Sequence, residues 1–195
     1  LDARMAALRA DDVCCFIYTS GTGGRPKGVM LTHRSIQANI KAAIELLKEG
    51  NVVENQRFLS LLPLSHSYEH TAGMHLPFQI KAEVWYCEST DQIANNLVEV
   101  SPTLMTAVPR LYEVLHDRIT RGVRAKGGLS EKLFNAAVRL GTKRQHGKRL
   151  LPHEVIVNLI VDRLVRTKVR GRLGGRLQFF ISGGAALNPE IGNFF

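Results

Sequence analysis

From Val13 to Thr19 the chain runs through β-branched and aromatic residues without a charge and then enters a glycine cluster. That pattern predicts a buried strand feeding a loop over Ser20–Gly28. Beyond the loop the period changes: Ile36, Ile40, Ala43, Ile44 and Leu47 recur at helical spacing behind Thr32, a favoured N-cap residue, and the run closes at Gly50. A strand, loop and helix unit is therefore expected. The alternation repeats, with Arg57 to Leu62 as strand, Ser67 to Ile80 as helix, Glu83 to Tyr86 as strand, Asp91 to Val100 as helix and Leu104 to Val108 as strand. Strands and helices alternating at this spacing predict an α/β fold: a mostly parallel sheet with helices on both faces.

Between Pro109 and Gly171 the strand pattern stops. Arg110 to Thr120, Ser130 to Gln145 and His153 to Arg170 read as helices, which makes residues 110–172 a helical insertion. Leu177 to Ile181 returns to strand, followed by Ser182-Gly183-Gly184. A helix then starts at Asn188-Pro189-Glu190, with Asn as cap and Pro in the first turn.

Composition changes this picture in three places. With 195 residues, 45% of them apolar and 22% charged, the chain can bury a core and is not compositionally disordered. Its longest apolar stretches are too short or too interrupted to span a bilayer, and no secretory signal opens it, so a soluble, cytoplasmic protein is the expectation. Cys14, Cys15 and Cys87 show no zinc-type spacing, and they read as reduced core residues. The net charge of +9 is concentrated: Arg118 to Arg176 holds sixteen Lys/Arg against Glu131, Glu154 and Asp162, leaving the rest of the chain at −4. Such a region is either a solvated helical face or a surface for an anionic lipid, a polyphosphate or nucleic acid, and charge alone does not choose. The chain lacks an initiator Met and stops at Asn193-Phe194-Phe195 inside a helical pattern, so it is expected to be cut at both ends.

The chemistry concentrates in Tyr18-Thr19-Ser20-Gly21-Thr22-Gly23-Gly24-Arg25-Pro26-Lys27-Gly28. Glycines let successive backbone N–H groups converge on phosphate oxygens, the hydroxyls add donors, and Lys27 brings a full positive charge. A Walker A loop would need Gly-Lys-Ser/Thr, where this chain has Pro26-Lys27-Gly28, and Gly21-Thr22-Gly23-Gly24 does not fit the dinucleotide pattern. A plain glycine-rich turn is the competing reading, but a turn needs neither three hydroxyls nor a lysine.

This segment resembles the signature loop of the adenylate-forming superfamily, Tyr-Thr-Ser-Gly-Thr-Thr/Ser-Gly-x-Pro-Lys-Gly, with Gly23 in place of the usual second Thr or Ser. Leu62-Pro63-Leu64-Ser65-His66-Ser67-Tyr68-Glu69 is similar to the superfamily's segment between the nucleotide and acyl sites, with His66 at its histidine. Read from the residues alone, that cluster serves equally well as a helix cap. Ser101 to Glu113 is similar to the strand and helix of long-chain acyl-CoA synthetases, as is the helical insertion after it. Phe180-Ile181-Ser182-Gly183-Gly184-Ala185-Ala186-Leu187 looks like the adenine-binding loop, with Ala186 where Pro is common. Without the resemblance, Ser-Gly-Gly after a strand is a tight turn.

The resemblance implies part of the large N-terminal domain of a long-chain fatty-acid–CoA ligase, the small C-terminal domain being absent from residues 1–195. It implies ATP, Mg2+ and coenzyme A, with a fatty acid activated as the acyl-adenylate and then transferred to the thiol of coenzyme A. Lys27, Thr22 and His66 become the catalytic candidates, and Thr22 the metal candidate. Thr19, Ser20, Gly21, Thr22, Gly23, Gly24, Lys27, Gly183, Gly184 and Ala185 become the nucleotide-binding ones. The 195 residues alone are expected to lack turnover. The basic helical region is a candidate for peripheral contact with the inner face of a membrane, and no nucleic acid is expected. Two alternatives stand beside this reading: another ligase of the superfamily, acting on a medium-chain, aryl or amino acid, and a basic nucleic-acid- or membrane-binding module.

Overall fold

The structure, a computed structural model, describes residues 2–21, 24–50 and 55–195, and it divides into two compact units that meet in sequence at Tyr86 and Cys87. The first unit opens with a short helix α1 (Asp2–Ala7) and an antiparallel hairpin of β1 (Val13–Thr19) and β2 (Lys27–Thr32). Helix α2 (His33–Glu49) follows directly. Thr32 and Ser35 start it by a reciprocal exchange, the Thr32 hydroxyl accepting from the Ser35 N–H at 3.2 Å and the Ser35 hydroxyl from the Thr32 N–H at 3.1 Å. Ile36, Ile40 and Leu47 form its buried stripe, and it ends at Gly50.

Next comes β3 (Arg57–Ser60), which pairs in parallel with β4 (Glu83–Tyr86) through the register Arg57↔Glu83 to Ser60↔Tyr86. Phe58 and Leu59 are fully buried, worth roughly 1.5–3 kcal/mol each. The crossover is one helical run of α3 (Ser67–Glu69), a π-helical turn over His70–His75 and α4 (Leu76–Gln79). Gly73 sits inside the π turn, and any side chain there would collide with the carboxyl of Glu69.

In the second unit, α5 (Ile93–Val100) buries Ile93 and Leu97 and ends on Ser101 in the left-handed conformation (φ 48°). Gly174 packs against the Leu97 carbonyl and Ser101, an approach only glycine allows. Strand β5 (Leu104–Ala107) is buried along its whole length and pairs in parallel with β6 (Phe179–Ser182). Between them lie only helices: α6 (Pro109–Arg124), α7 (Gly128–Gln145), α8 (Pro152–Val161), a π turn (Asp162–Arg166) and α9 (Thr167–Arg172). A final helix, α10 (Pro189–Phe194), starts on Asn188, whose side chain accepts from the Glu190 N–H at 2.8 Å. Ala137, Leu140 and Val161 form the core of the helical region, with Leu133, Val157 and Val165 packed around them.

The fold class is α/β, and the expected parallel pairing and strand-free helical region are both present. Three expectations need correction. The strand, loop and helix unit is a hairpin followed by a helix, because Lys27–Thr32 pairs back on β1 before α2 begins. Strand β1 is not buried: only Ile17 is, while Phe16 and Tyr18 are 58% and 72% exposed, so an apolar run marked strand without marking cover. The cysteines are free but not core residues, Cys14 being exposed and Cys15 and Cys87 half-buried.

Candidate functional site

The glycine-rich segment is the connection of the β1–β2 hairpin, so its two ends are fixed by cross-strand pairing of Thr19 with Lys27 and of Tyr18 with Gly28. Lys27 is thus the first residue of β2, and with Arg25 it gives one short turn two cations. Gly21 (φ 60°) and Gly24 (φ 75°) take the left-handed region that admits glycine readily. Gly21 is held more tightly, since a Cβ there would strike the Arg25 carbonyl oxygen and reach Lys27 Cγ at 3.6 Å; at Gly24 the same atom would meet nothing. Thr19, Ser20, Gly24 and Lys27 are exposed and Gly21 is half-buried. Thr22 and Gly23 lie outside the described residues. Turned backbone, hydroxyls and two cations make a surface suited to phosphate oxygens.

His66 lies beyond the carboxyl end of β3, where ligands bind in open parallel sheets. It is the N-cap of α3: its Nδ1 accepts from the Tyr68 N–H at 3.2 Å, and its own N–H donates to the Pro63 carbonyl at 2.8 Å. Capping and chemistry are compatible here. A ring that accepts at Nδ1 carries its proton on Nε2, and the residue is exposed, so an N–H donor is offered outward. Two residues on, burial and the charge of Glu69 push the Tyr68 phenol well above its ordinary range.

In the second unit Gly183, Gly184 and Ala185 follow the carboxyl end of β6. The Gly183 N–H donates to the Ala107 carbonyl at 3.1 Å, and Gly184 has φ 82° with Val108 Cγ1 at 3.6 Å from where a Cβ would lie. The result is an anchored turn of small residues.

Thr19, Ser20, Gly21, Gly24 and Lys27 are therefore brought together at the hairpin, whereas His66 is tied to its own helix start. For magnesium, Thr22 was the one ligand expected, and no cluster of three His, Cys, Asp or Glu able to hold a metal occurs among the described residues. The donors that are described suit anion oxygens rather than a cation.

Sequence reasoning missed two features of the first unit. Glu69 is fully buried and accepts from the Ser60 hydroxyl at 2.6 Å; its signal in the sequence was Gly73, four residues on, which leaves it room. Cys15, His70 and His75 form a chain, with Cys15 Sγ 3.4 Å from His70 Nε2 and the two imidazole Nε2 atoms 3.3 Å apart. They line a groove of about 430 Å³ with Cys14, His33 and Met74. Burial and the neighbouring His70 lower the pKa of His75, while burial and Cys14 raise that of Cys15.

Comparison with known proteins places these features in a context. Residues 2–195 match the family model described as AMP-binding enzyme. The peroxisomal long chain acyl-CoA synthetase 6 of Arabidopsis thaliana is 37% identical over 189 residues, which cover 95% of this chain and 25% of the relative. Fatty acyl-CoA synthetase A of Dictyostelium discoideum is 31% identical over 192 residues, covering 94% and 26%. The chain thus spans about a quarter of the length of these curated relatives. Among solved structures, the adenylation domain of a carboxylate reductase from Mycobacterium chelonae aligns with a TM-score of 0.65 at 22% identity, covering 98% of this chain and 27% of that one, a likeness of fold.

Proposed function

The chain belongs to the AMP-binding enzyme family, and from that premise we propose that the full-length protein is an acid–thiol ligase that activates a long-chain fatty acid with ATP and passes it to coenzyme A. The 195 residues are then part of the large adenylating domain, with the helices of residues 110–172 as an insertion. The observation that carries the reading is the hairpin loop: two left-handed glycines, exposed hydroxyls and Lys27 at the base of β2.

In the first half-reaction a carboxylate oxygen attacks the α-phosphorus of ATP and the bond to the β-phosphate bridging oxygen breaks, releasing pyrophosphate. In the second, the coenzyme A sulfur attacks the acyl carbon and AMP leaves. Both steps ask for positioning of anions and neutralisation of phosphate charge, and neither needs a covalent bond to the enzyme. Lys27 offsets the polyphosphate, while Thr19, Ser20, Gly21, Thr22, Gly23 and Gly24 supply backbone and hydroxyl donors. His66 offers Nε2–H to an oxygen of the acyl-phosphate. Gly183, Gly184 and Ala185 give the adenine plane a close backbone surface. Magnesium, when it accompanies ATP, neutralises phosphate charge. The setting proposed is the cytoplasmic side of the cell; among the described residues no helix is long and apolar enough to cross a membrane.

Long-chain substrates are favoured over other acids by the names of the relatives, which are fatty acyl and long chain acyl-CoA synthetases. The test is acid-dependent exchange of pyrophosphate into ATP by the full-length protein, with palmitate, octanoate, benzoate and amino acids compared. Exchange strongest with palmitate is expected. Exchange with another acid alone moves the protein within the family, and none with any acid removes the ligase reading.

A further inference from the structure

Successive side chains of a regular strand point to opposite faces, yet two neighbours on β1 come together. The register with β2 steps from Val13↔Thr32 to Cys15↔Leu31, so Cys14 is the extra residue of a β-bulge. Cys14 Sγ consequently lies 3.9 Å from Cys15 Sγ, and both cysteines line the groove of about 430 Å³ that also holds His70 and His75. The Cys14 S–H donates to the Leu31 carbonyl at 3.2 Å, which holds its sulfur beside that of Cys15.

The two thiols are not equivalent. Cys14 is exposed and open to a reagent from solvent, whereas Cys15 is half-buried, and burial together with Cys14 makes it give up its proton less readily. A base stands where that thiol needs one: His70 Nε2 is 3.4 Å from Cys15 Sγ, and His75 Nε2 is 3.3 Å further on. Burial and His70 keep the His75 ring neutral near pH 7. A neutral His75 that donates from Nε2 leaves His70 Nε2 as the acceptor facing the Cys15 S–H. One exposed thiol, a second sulfur in reach of it and a proton acceptor behind the second are the parts of a dithiol that closes on oxidation.

We infer that Cys14 and Cys15 are a site of reversible oxidation by hydroperoxides, Cys14 as the attacking thiol, Cys15 as the resolving one and His70 as the base that frees it. In the first step the Cys14 sulfur attacks the outer oxygen of the hydroperoxide. An S–O bond forms, the O–O bond breaks, and the alcohol, or water from hydrogen peroxide, leaves with the Cys14 proton. In the second step the Cys15 sulfur attacks the Cys14 sulfur, the S–S bond forms and the S–O bond breaks. The departing hydroxide leaves as water with the Cys15 proton, passed on by His70. Two thiols and one hydroperoxide thus give one disulfide, one alcohol and one water. The sulfurs must close from 3.9 Å to about 2 Å, which rotation of the two side chains supplies. Adjacent Cα atoms lie only about 3.8 Å apart, inside the usual range of about 4.4–6.8 Å for a bridge, so the ring is strained and easily reduced. That places it with labile bridges rather than structural ones. The site is independent of the adenylation reading, because it shares no residue with the phosphate loop.

The test is mass spectrometry of the full-length protein, reduced, freed of reductant, treated with an equivalent of hydrogen peroxide and then alkylated. The peptide carrying both Cys14 and Cys15 is expected to escape alkylation and to be lighter by two hydrogen atoms, and dithiothreitol under native conditions is expected to restore both thiols. Cys15→Ser stops the sequence at a Cys14 sulfenic acid that dimedone traps. His70→Gln slows closure of the bridge at least about tenfold while leaving the first oxidation of Cys14 at its wild-type rate, a split that a general loosening of the groove would not produce. The wild-type result stands without either variant. Four outcomes overturn the inference: thiols that stay unoxidised, a Cys14 sulfinic acid beside a Cys15 that still alkylates, a bridge from either cysteine to Cys87 or to a second molecule, and closure that ignores His70→Gln.

Discussion

Two glycine turns, one in each unit, are built in opposite ways. The turn between β1 and β2 is pinned at its ends by Thr19–Lys27 pairing, and bears Arg25 and Lys27. The turn after β6 has its backbone anchored at once, through the Gly183 N–H on Ala107, and its Gly183-Gly184-Ala185 core carries no charge. The first is suited to wrap flexible, charged phosphates, and the second to present a fixed, uncharged backbone. Glycine is needed at both for conformation, but Gly21 also lacks room for a side chain, whereas Gly24 and Gly184 do not.

Substitution at the two glycines sharpens that contrast. Gly21→Ala forces the loop off the Arg25 carbonyl, and a displacement of that size at a reacting group costs on the order of a hundredfold in pyrophosphate exchange. Gly184→Ala carries only the conformational cost of a positive φ, about 1 kcal/mol, so a loss of about three- to tenfold is expected. Equal losses in the two variants would break the comparison.

Smaller effects follow from titration in each unit. The Lys143 ammonium and the Leu151 N–H hold the Glu154 carboxyl below the usual range. Its folded pKa is depressed, so its contribution to stability is present above about pH 4.5 and is lost as pH falls through the lowered value. Glu154→Gln should flatten this acid loss in thermal unfolding followed against pH. His75 is also depressed, by burial and by His70, so the unfolded chain binds its proton more readily. The stabilisation of the neutral ring is therefore complete above about pH 6.5 and declines below it. His75→Gln should lessen the fall in melting temperature between about pH 7 and pH 5.

Legibility in the sequence followed the physics of each region. The α2 helix was plain because Thr32, the Ile36/Ile40/Leu47 stripe and Gly50 are all local signals. Strand β2 was missed because Lys27–Thr32 is short and follows directly on a motif that absorbs its first two residues. Exposure of β1 was illegible, since an apolar run reports what a strand is made of and not what lies over it. The phosphate loop was readable as composition, but the unequal confinement of Gly21 and Gly24 depends on where the Arg25 carbonyl falls. The Cys15–His70 contact joins residues 55 positions apart and left no local trace.

The central claim is that the β1–β2 turn grips the phosphates of ATP through Lys27. Titrating ATP in palmitate-dependent pyrophosphate exchange by the full-length protein, with wild type, Lys27→Ala and Lys27→Arg, tests it most directly. Loss of one positioned charge predicts a fall of about 10²- to 10³-fold in kcat/KM for ATP with Lys27→Ala, and partial recovery with Lys27→Arg. Exchange by Lys27→Ala at the wild-type rate and with the wild-type KM for ATP would contradict it.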